Sequence, residues 1–587
     1  MIRAFVSILL LFSISLCAQV IPRNGSNLIH SQIMFEYPAV KDASGYEIQI
    51  SKWDSTKQVT IPCLRQADKT TATLVPWLDF GYEYRWTYQA FDKNGKAFFT
   101  SPEYKFYLKM PVEPRLDQQR VRLIPSNCVD TLKGLIALDY TKTVFDRKGR
   151  PVYYVPISPP LLPSGFFIRD LRISQGGTIT LVTKFDAVEM DLEGHIIWIA
   201  PNDGKVSGEA TEFYHHDFSR LDNGNYMVLS AKHKLMQAPN DTVHANVEFG
   251  TIIEYDQDGN VVWHWDSDKY FDTRDLFAHK LPDNKYDAST HSNSIKVSPD
   301  GKYIYLGFRD VSRVIKIEKV SGRVIESYGA KMPSGEARKA NGFFRFQHSM
   351  IPLKDGNLAV FNNDSIADPK VTSSVLIFTD PKNEKTPSKI LWKFDCKFDS
   401  LSNGKSLKMG NVMELPNHDL LVNMGTLNRT IELSRDKKIL WDAFTEQWNA
   451  KVNKWEPFST FRCNYVSSLY PCYFTAGIMD DGSGNTKKGN SSIQVFNEGT
   501  EADSYTIQVR SAGGQKELRT ASVLPGESVS VNFDKPKAEG KYQVFIISSL
   551  DSRRTRTIDM PGNMQESTLN NLPQHFTYKQ EKPIELR

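Results

Sequence analysis

Asp256-Gln257-Asp258-Gly259-Asn260-Val261-Val262-Trp263 is a turn of Asp, Gly and Asn that runs into a short apolar strand ending in tryptophan. The same pattern precedes it as Asp146-Arg147-Lys148-Gly149-Arg150-Pro151-Val152-Tyr153 and Asp191-Leu192-Glu193-Gly194-His195-Ile196-Ile197-Trp198. It follows as Val320-Ser321-Gly322-Arg323-Val324-Ile325, Lys389-Ile390-Leu391-Trp392 and Arg435-Asp436-Lys437-Lys438-Ile439-Leu440-Trp441. Six copies spaced by roughly 45–65 residues match the period of propeller blades enlarged by insertions. A second series of turns, Gln175-Gly176-Gly177, Asp222-Asn223-Gly224, Pro299-Asp300-Gly301, Lys354-Asp355-Gly356 and Pro416-Asn417-His418, supplies a hairpin that opens the blades. The fold class is therefore all-β, with a six-bladed β-propeller over 110–480.

The flanks read differently. Between about residues 19 and 109, alternating strands such as Gly45-Tyr46-Glu47-Ile48-Gln49-Ile50 and Tyr82-Glu83-Tyr84-Arg85-Trp86 suit a small β-sandwich of fibronectin III-like pattern, with Trp77 and Trp86 available for its interior. Pro111 and Pro114 mark the boundary. Residues 481–587 are β-rich, with Tyr505–Val509, Ser528–Phe533 and Tyr542–Ser548 resembling a second sandwich.

Composition excludes several functions. The 587 residues carry 72 Lys+Arg against 68 Asp+Glu, a charge balance too even for a protein that binds nucleic acid by neutralising phosphates. Hydrophobic residues make up 40%, too many for a disordered chain. Arg3 followed by the apolar run Ala4–Leu16 and then Cys17-Ala18-Gln19 reads as a signal peptide over 1–18, so the mature protein is expected in the periplasm; a lipoprotein carrying lipid on Cys17 ranks second. The remaining Cys63, Cys128, Cys396, Cys463 and Cys472 are an odd number. Short loop closure favours a Cys463–Cys472 pair, and two buried thiols are an equal alternative. No Cys-x-x-Cys suggests a zinc or redox site.

The chemistry emerges when the hairpins are aligned. His216-Asp217 leads into Asp222-Asn223-Gly224, His348-Ser349 leads into Lys354-Asp355-Gly356, and His291-Ser292-Asn293 leads into the turn ending at Gly301. The first strand of a blade is innermost, so residues at one phase of the repeat form a ring in the central channel. His216, His291 and His348 are thus expected to converge, Asn293 shares a face with His291, Arg309 falls at the same rim, and Thr426 takes the corresponding place in a later blade. His215, His195, His233, His244, His264, His279, His418 and His575 read as structural or surface residues. Imidazoles with a guanidinium and few carboxylates suit an anion with several oxygens, and neutral imidazole is a nucleophile. A three-histidine zinc hydrolase is the competing chemistry, opposed by the Arg309 cation. A non-catalytic exported propeller that binds an anionic glycan or protein is the reading from another class. Phe213, Tyr214, Phe343, Phe344 and Phe346 are candidates for either an aryl wall or blade packing.

His215-His216-Asp217, His291-Ser292-Asn293-Ser294-Ile295 with Arg309 eighteen residues on, and Gln347-His348 together resemble the bacterial arylsulfate sulfotransferases over roughly 121–473. The resemblance implies transfer of a sulfuryl group from a phenolic sulfate ester to a phenol by a ping-pong route, without metal, nucleotide or other cofactor. It implies that His348 is the nucleophile that becomes sulfohistidine, and that His216, His291, Arg309 and Asn293 bind and transfer the group, with Thr426 in the same shell. The expected partners are small phenols and phenyl sulfates, with homodimerisation as a family trait.

Overall fold

The computed structural model describes residues 20–110, 118–129, 132–156, 167–183, 186–278, 286, 288–364, 370–381, 385–479, 490–511, 514–534, 542–560 and 563–565. The proposed signal segment, Cys17, His279 and His575 lie outside them.

The chain is all-β. Among the described residues, six antiparallel sheets, five of four strands and the last of six, follow one another through the middle of the sequence. The second comprises Arg169–Ile173, Ile179–Val182, Ala187–Met190 and Ile196–Ile199. The third has Phe218–Arg220, Tyr226–Gln237, His244–Tyr255 and Val261–Asp266, and the fourth Ser292–Val297, Tyr303–Phe308, Arg313–Glu318 and Val324–Gly329. The fifth runs His348–Pro352, Leu358–Asn362, Ser374–Phe378 and Ile390–Asp395; the sixth, Asn411–Glu414, Leu420–Asn423, Arg429–Leu433 and Ile439–Asn449. The first sheet is completed from a distance, because Cys463–Val466 pairs with Leu135–Leu138, beyond which lie Thr143–Asp146 and Pro151–Tyr154. First or second strands of successive sheets pack against one another in this order and return to the start.

Both turn series of the sequence are hairpins. The Asp/Gly/Asn turns join third to fourth strands, and in each sheet a register shift falls beside the turn, as at Glu254/Tyr255 and Glu432/Leu433. Such a bulge twists the outer strand, and the tryptophans it carries reach the neighbouring sheet. Trp263 donates its indole N–H to Lys319 O at 3.0 Å, Trp392 to Arg435 O at 2.8 Å and Trp441 to Arg147 O at 2.8 Å, the last closing the sixth sheet onto the first. Trp198 instead stacks on Tyr226 of the third sheet at 3.9 Å. An aromatic pair of this kind adds about 0.5–1.5 kcal/mol beyond its buried area.

A second set of links joins the inner strands. Asp139 accepts from Asp170 N (3.2 Å), Asp170 from Phe218 N (3.0 Å) and Asp217 from Ile295 N (2.8 Å). Asn293 Nδ2 donates to Gln347 O at 2.9 Å, and Asn411 exchanges two bonds with Cys463. Each bond satisfies a backbone group that would otherwise be buried unpaired, which fixes where every inner strand begins.

In the N-terminal unit, a six-stranded and a two-stranded sheet enclose Phe35, Ile48, Trp86 and Phe106. Trp77 does not join that core: its ring packs on the first sheet and its N–H meets Pro151 O at 3.3 Å, so it docks the unit rather than filling it. The expected boundary at 480 moves back, because Phe474–Met479 pairs with Asn490–Asn497 in a three-stranded sheet that shares a core with a five-stranded one. This C-terminal unit is tied to the rest by Arg220 with Asp551 (2.8 Å), Arg553 with Glu189 (2.7 Å) and Arg556 with Glu36 (2.7 Å). All five described cysteines are free thiols; Cys463 is buried among apolar residues of the first and sixth sheets and Cys472 beside Ser548 and Asp503, so of the two alternatives the pair of buried thiols holds.

Candidate active site

The repeat phase that carries the histidines is the first turn of the inner strands. His216 (φ +61°), His291 (φ +46°) and Met409 (φ +66°) have left-handed backbones there, as do Asp170 (φ +55°) and Ser349 (φ +52°) one residue further on. Register shifts fall at the same level, between Arg169 and Arg172, Ser292 and Ser294, and His348 and Met350. A non-glycine residue held at positive φ costs on the order of 1–3 kcal/mol, and the neighbouring strands supply the packing that holds it. The kink turns the side chains off the sheets and towards the common centre.

His348 is buried at 3% exposure, with its ring 6.1 Å from that of Phe461. Its Nδ1 donates to Asn363 Oδ1 at 2.7 Å, and its Nε2 accepts from Met409 N at 3.2 Å. Asn363 is oriented in turn by donating to Met409 O (2.9 Å) and Ser406 O (3.2 Å). One ring nitrogen therefore carries the proton and the other keeps a lone pair. Burial, opposed by the hydrogen bond to Asn363 and reinforced by the Arg309 and Arg462 guanidinium groups, lowers the imidazole pKa to about 3, so it is neutral at physiological pH.

His216 lies 5.3 Å from His291 and 5.2 Å from Phe461, ring to ring. Burial and the neighbouring cationic and imidazole groups hold its pKa well below the ordinary range. Its Nδ1 is 2.7 Å from Nδ1 of His215, a residue the sequence reading set aside as structural. One proton is shared in that contact. His215 is also held by the backbone of Ser230, so it fixes the position of the His216 ring from behind.

Arg309 donates through its backbone to His291 O at 3.0 Å, as the strand argument required, and its guanidinium lies 2.5 Å from Asp310 and over Phe346 at 5.6 Å. His291 Nδ1 is 3.7 Å from the same Asp310. Two expected residues stand one step back. Asn293 is fully buried, with its amide engaged by the carbonyl of Gln347, the residue before His348. Thr426 Oγ1 accepts from Leu407 N at 3.0 Å and anchors the 406–409 segment that reaches His348 Nε2.

The aromatic wall is also different. Tyr214, Phe343 and Phe344 pack within and between sheets and Phe213 lies on His233. Around the ring stand Phe461, Tyr140 and Phe167 instead, with Phe346 beside Arg309. Arg169 and Phe461 occupy the histidine phase in the second and first sheets; extending the alignment from His216-Asp217 to Arg169-Asp170 before Gln175-Gly176-Gly177 would have found the former. Beneath the ring, Arg462 binds Asp217 at 2.8 Å and Asp170 at 3.2 Å.

Fold and site together define an all-β protein with neutral imidazoles and guanidinium groups gathered where successive sheets meet. Residues 133–373 match the arylsulfotransferase (ASST) family model. No curated protein matches the chain. Among solved structures, a Bacteroides caccae protein of unknown function shares 13% identity over 60% of this chain and 99% of its own, with a TM-score of 0.36. Apo AztD from Citrobacter koseri shares 10% over 72% of this chain and 98% of its own, with a TM-score of 0.28.

Proposed function

We propose that this protein is an exported aryl-sulfate sulfotransferase working by a ping-pong route through His348. The six sheets serve as blades of one propeller, flanked by two small β-sandwiches, and the leader at 1–18 directs the chain to the periplasm. The observation that carries the reading is the His348 imidazole, neutral, tethered at Nδ1 and beside Arg309, within the segment that matches the arylsulfotransferase family.

In the first half-reaction His348 Nε2 forms a bond to sulfur as the S–O bond to the aryl group breaks. The departing phenolate takes a proton from His216, while Arg309 and His291 face the sulfuryl oxygens and Met409 N–H is released from His348 to join them. In the second, an acceptor phenol returns its proton to His216 and attacks sulfur, and the N–S bond breaks to restore neutral His348. Charge stabilisation and alignment do most of the work in transfers of this type, with little demand for a strong nucleophile. Asn293 and Thr426 contribute by holding Gln347 and the 406–409 segment.

Initial rates with p-nitrophenyl sulfate and phenol test the route. Parallel lines in double-reciprocal plots at several fixed phenol concentrations support a covalent intermediate; intersecting lines point to direct transfer in a ternary complex.

A further inference from the structure

Three guanidinium groups surround the site, and two are balanced by carboxylates: Arg309 by Asp310 at 2.5 Å, Arg462 by Asp170 and Asp217. Arg169 is not. It leaves the first position of the strand Arg169–Ile173, at the repeat phase of the histidines, and among the described residues no carboxylate lies within ion-pair distance of it. Its Nε is buried without a hydrogen-bond partner. Its guanidinium carbon lies 5.9 Å from the Phe461 ring centroid, and its charge acts on the neighbouring Tyr140. The titratable groups facing it are His215 and His216, both neutral, and its charge helps keep them so.

The surroundings say what would complete it. Tyr140 stacks on Phe167 at 4.4 Å and on Phe461 at 6.5 Å, and the same Phe461 ring borders His216 and His348. An aromatic wall of Phe461, Tyr140 and Phe167 therefore runs from His348 and His216, which Phe461 meets edge-on, to a cation with no counter-charge. A neutral phenol lying there would dehydrate Arg169 without pairing it, whereas a substrate carrying a second oxyanion would meet a planar fork of donors.

We infer that Arg169 receives an anionic substituent of the aromatic substrate, so that the preferred phenols bear a carboxylate or similar oxyanion away from the reacting hydroxyl. This rests on the transferase reading above.

The test compares two acceptors of nearly equal shape, 4-hydroxyphenylacetate and the neutral 4-hydroxyphenylacetamide, with p-nitrophenyl sulfate as donor. The wild type is expected to favour the carboxylate in kcat/KM by about 10- to 100-fold, the worth of a charged hydrogen-bonded pair. Arg169→Gln should bring the ratio close to one, and Arg169→Lys should keep part of it. Equal use of both acceptors by the wild type, or a preference that survives in Arg169→Gln, overturns the inference and leaves the transferase reading standing. Equal losses with both acceptors in Arg169→Gln overturn it too, placing Arg169 on the sulfuryl group. If nitrophenol is released with neither acceptor nor in their absence, the transferase reading falls and the inference with it.

Discussion

Replacing Asn363 by leucine keeps the branched outline and number of heavy atoms of the side chain and removes its hydrogen bonds, so it tests the part played by the Nδ1 tether. Three contacts are lost: to His348 Nδ1, Met409 O and Ser406 O. A buried polar group left unpaired costs about 1–3 kcal/mol, and Ser406 O keeps a second donor in Ser373 Oγ, so the expected loss of stability is roughly 2–5 kcal/mol. The kinetic cost is separate. Without an acceptor at Nδ1 the imidazole loses its orientation and tautomer, which in comparable supporting positions costs about 10–100-fold. The assay is the stopped-flow burst of nitrophenol from p-nitrophenyl sulfate without acceptor, which follows formation of the bond to His348. Asn363 does not touch the donor, so the burst rate should fall at unchanged apparent donor affinity. Asn363→Asp restores an acceptor with a negative charge; the burst should partly recover while its acid limb moves to higher pH, because a carboxylate favours imidazolium. A folded Asn363→Leu protein whose burst rate stays within about threefold of wild type would refute the argument, since the expected barrier change is at least about 1.4 kcal/mol.

The pH profile follows from the same burial. With the His348 pKa lowered to about 3, the nucleophile remains neutral as pH falls through the ordinary histidine range, and activity is lost only as that low value is approached. The burst rate should thus be flat between about pH 7 and 5, and an acid limb centred near the ordinary histidine pKa of about 6.5 contradicts the assignment. His215→Phe removes the ring hydrogen-bonded to His216 Nδ1. It should slow transfer from donors with poor leaving groups, such as phenyl sulfate, far more than from p-nitrophenyl sulfate, and equal effects on both would deny His216 its role as proton donor. Trp441→Phe removes the indole bond to Arg147 O that joins the sixth sheet to the first; about 1 kcal/mol or more of stability should be lost in thermal unfolding, with the burst unchanged.

What could be read from the sequence was local and repeated. The Asp/Gly/Asn turns and their tryptophans announce themselves because every sheet needs the same hairpin and the same link to its neighbour. The convergence of His216, His291 and His348 follows from one alignment, since residues at equal phase meet at the centre. Asn363 escaped because it follows a second strand and reaches His348 across the mouth of a hairpin, a relation without a fixed spacing. Phe461 escaped because the strand that completes the first sheet lies more than three hundred residues from its partner. Asn293 and Thr426 were placed at the right level, yet their side chains turn to backbone groups, because satisfying a buried amide or carbonyl outweighs exposure to the centre. Trp77 and the Cys463–Cys472 pair were judged from neighbourhood in sequence, and tertiary packing separated them.

The central claim is that His348 carries the sulfuryl group. The most direct measurement is intact and peptide mass spectrometry of the mature protein after mixing with p-nitrophenyl sulfate at neutral pH without acceptor, beside His348→Asn. The account predicts a sulfuryl adduct on the peptide containing His348, absent from the variant and discharged by phenol. Release of nitrophenol by a folded wild-type protein that shows no adduct, or an adduct that persists in His348→Asn, would contradict it.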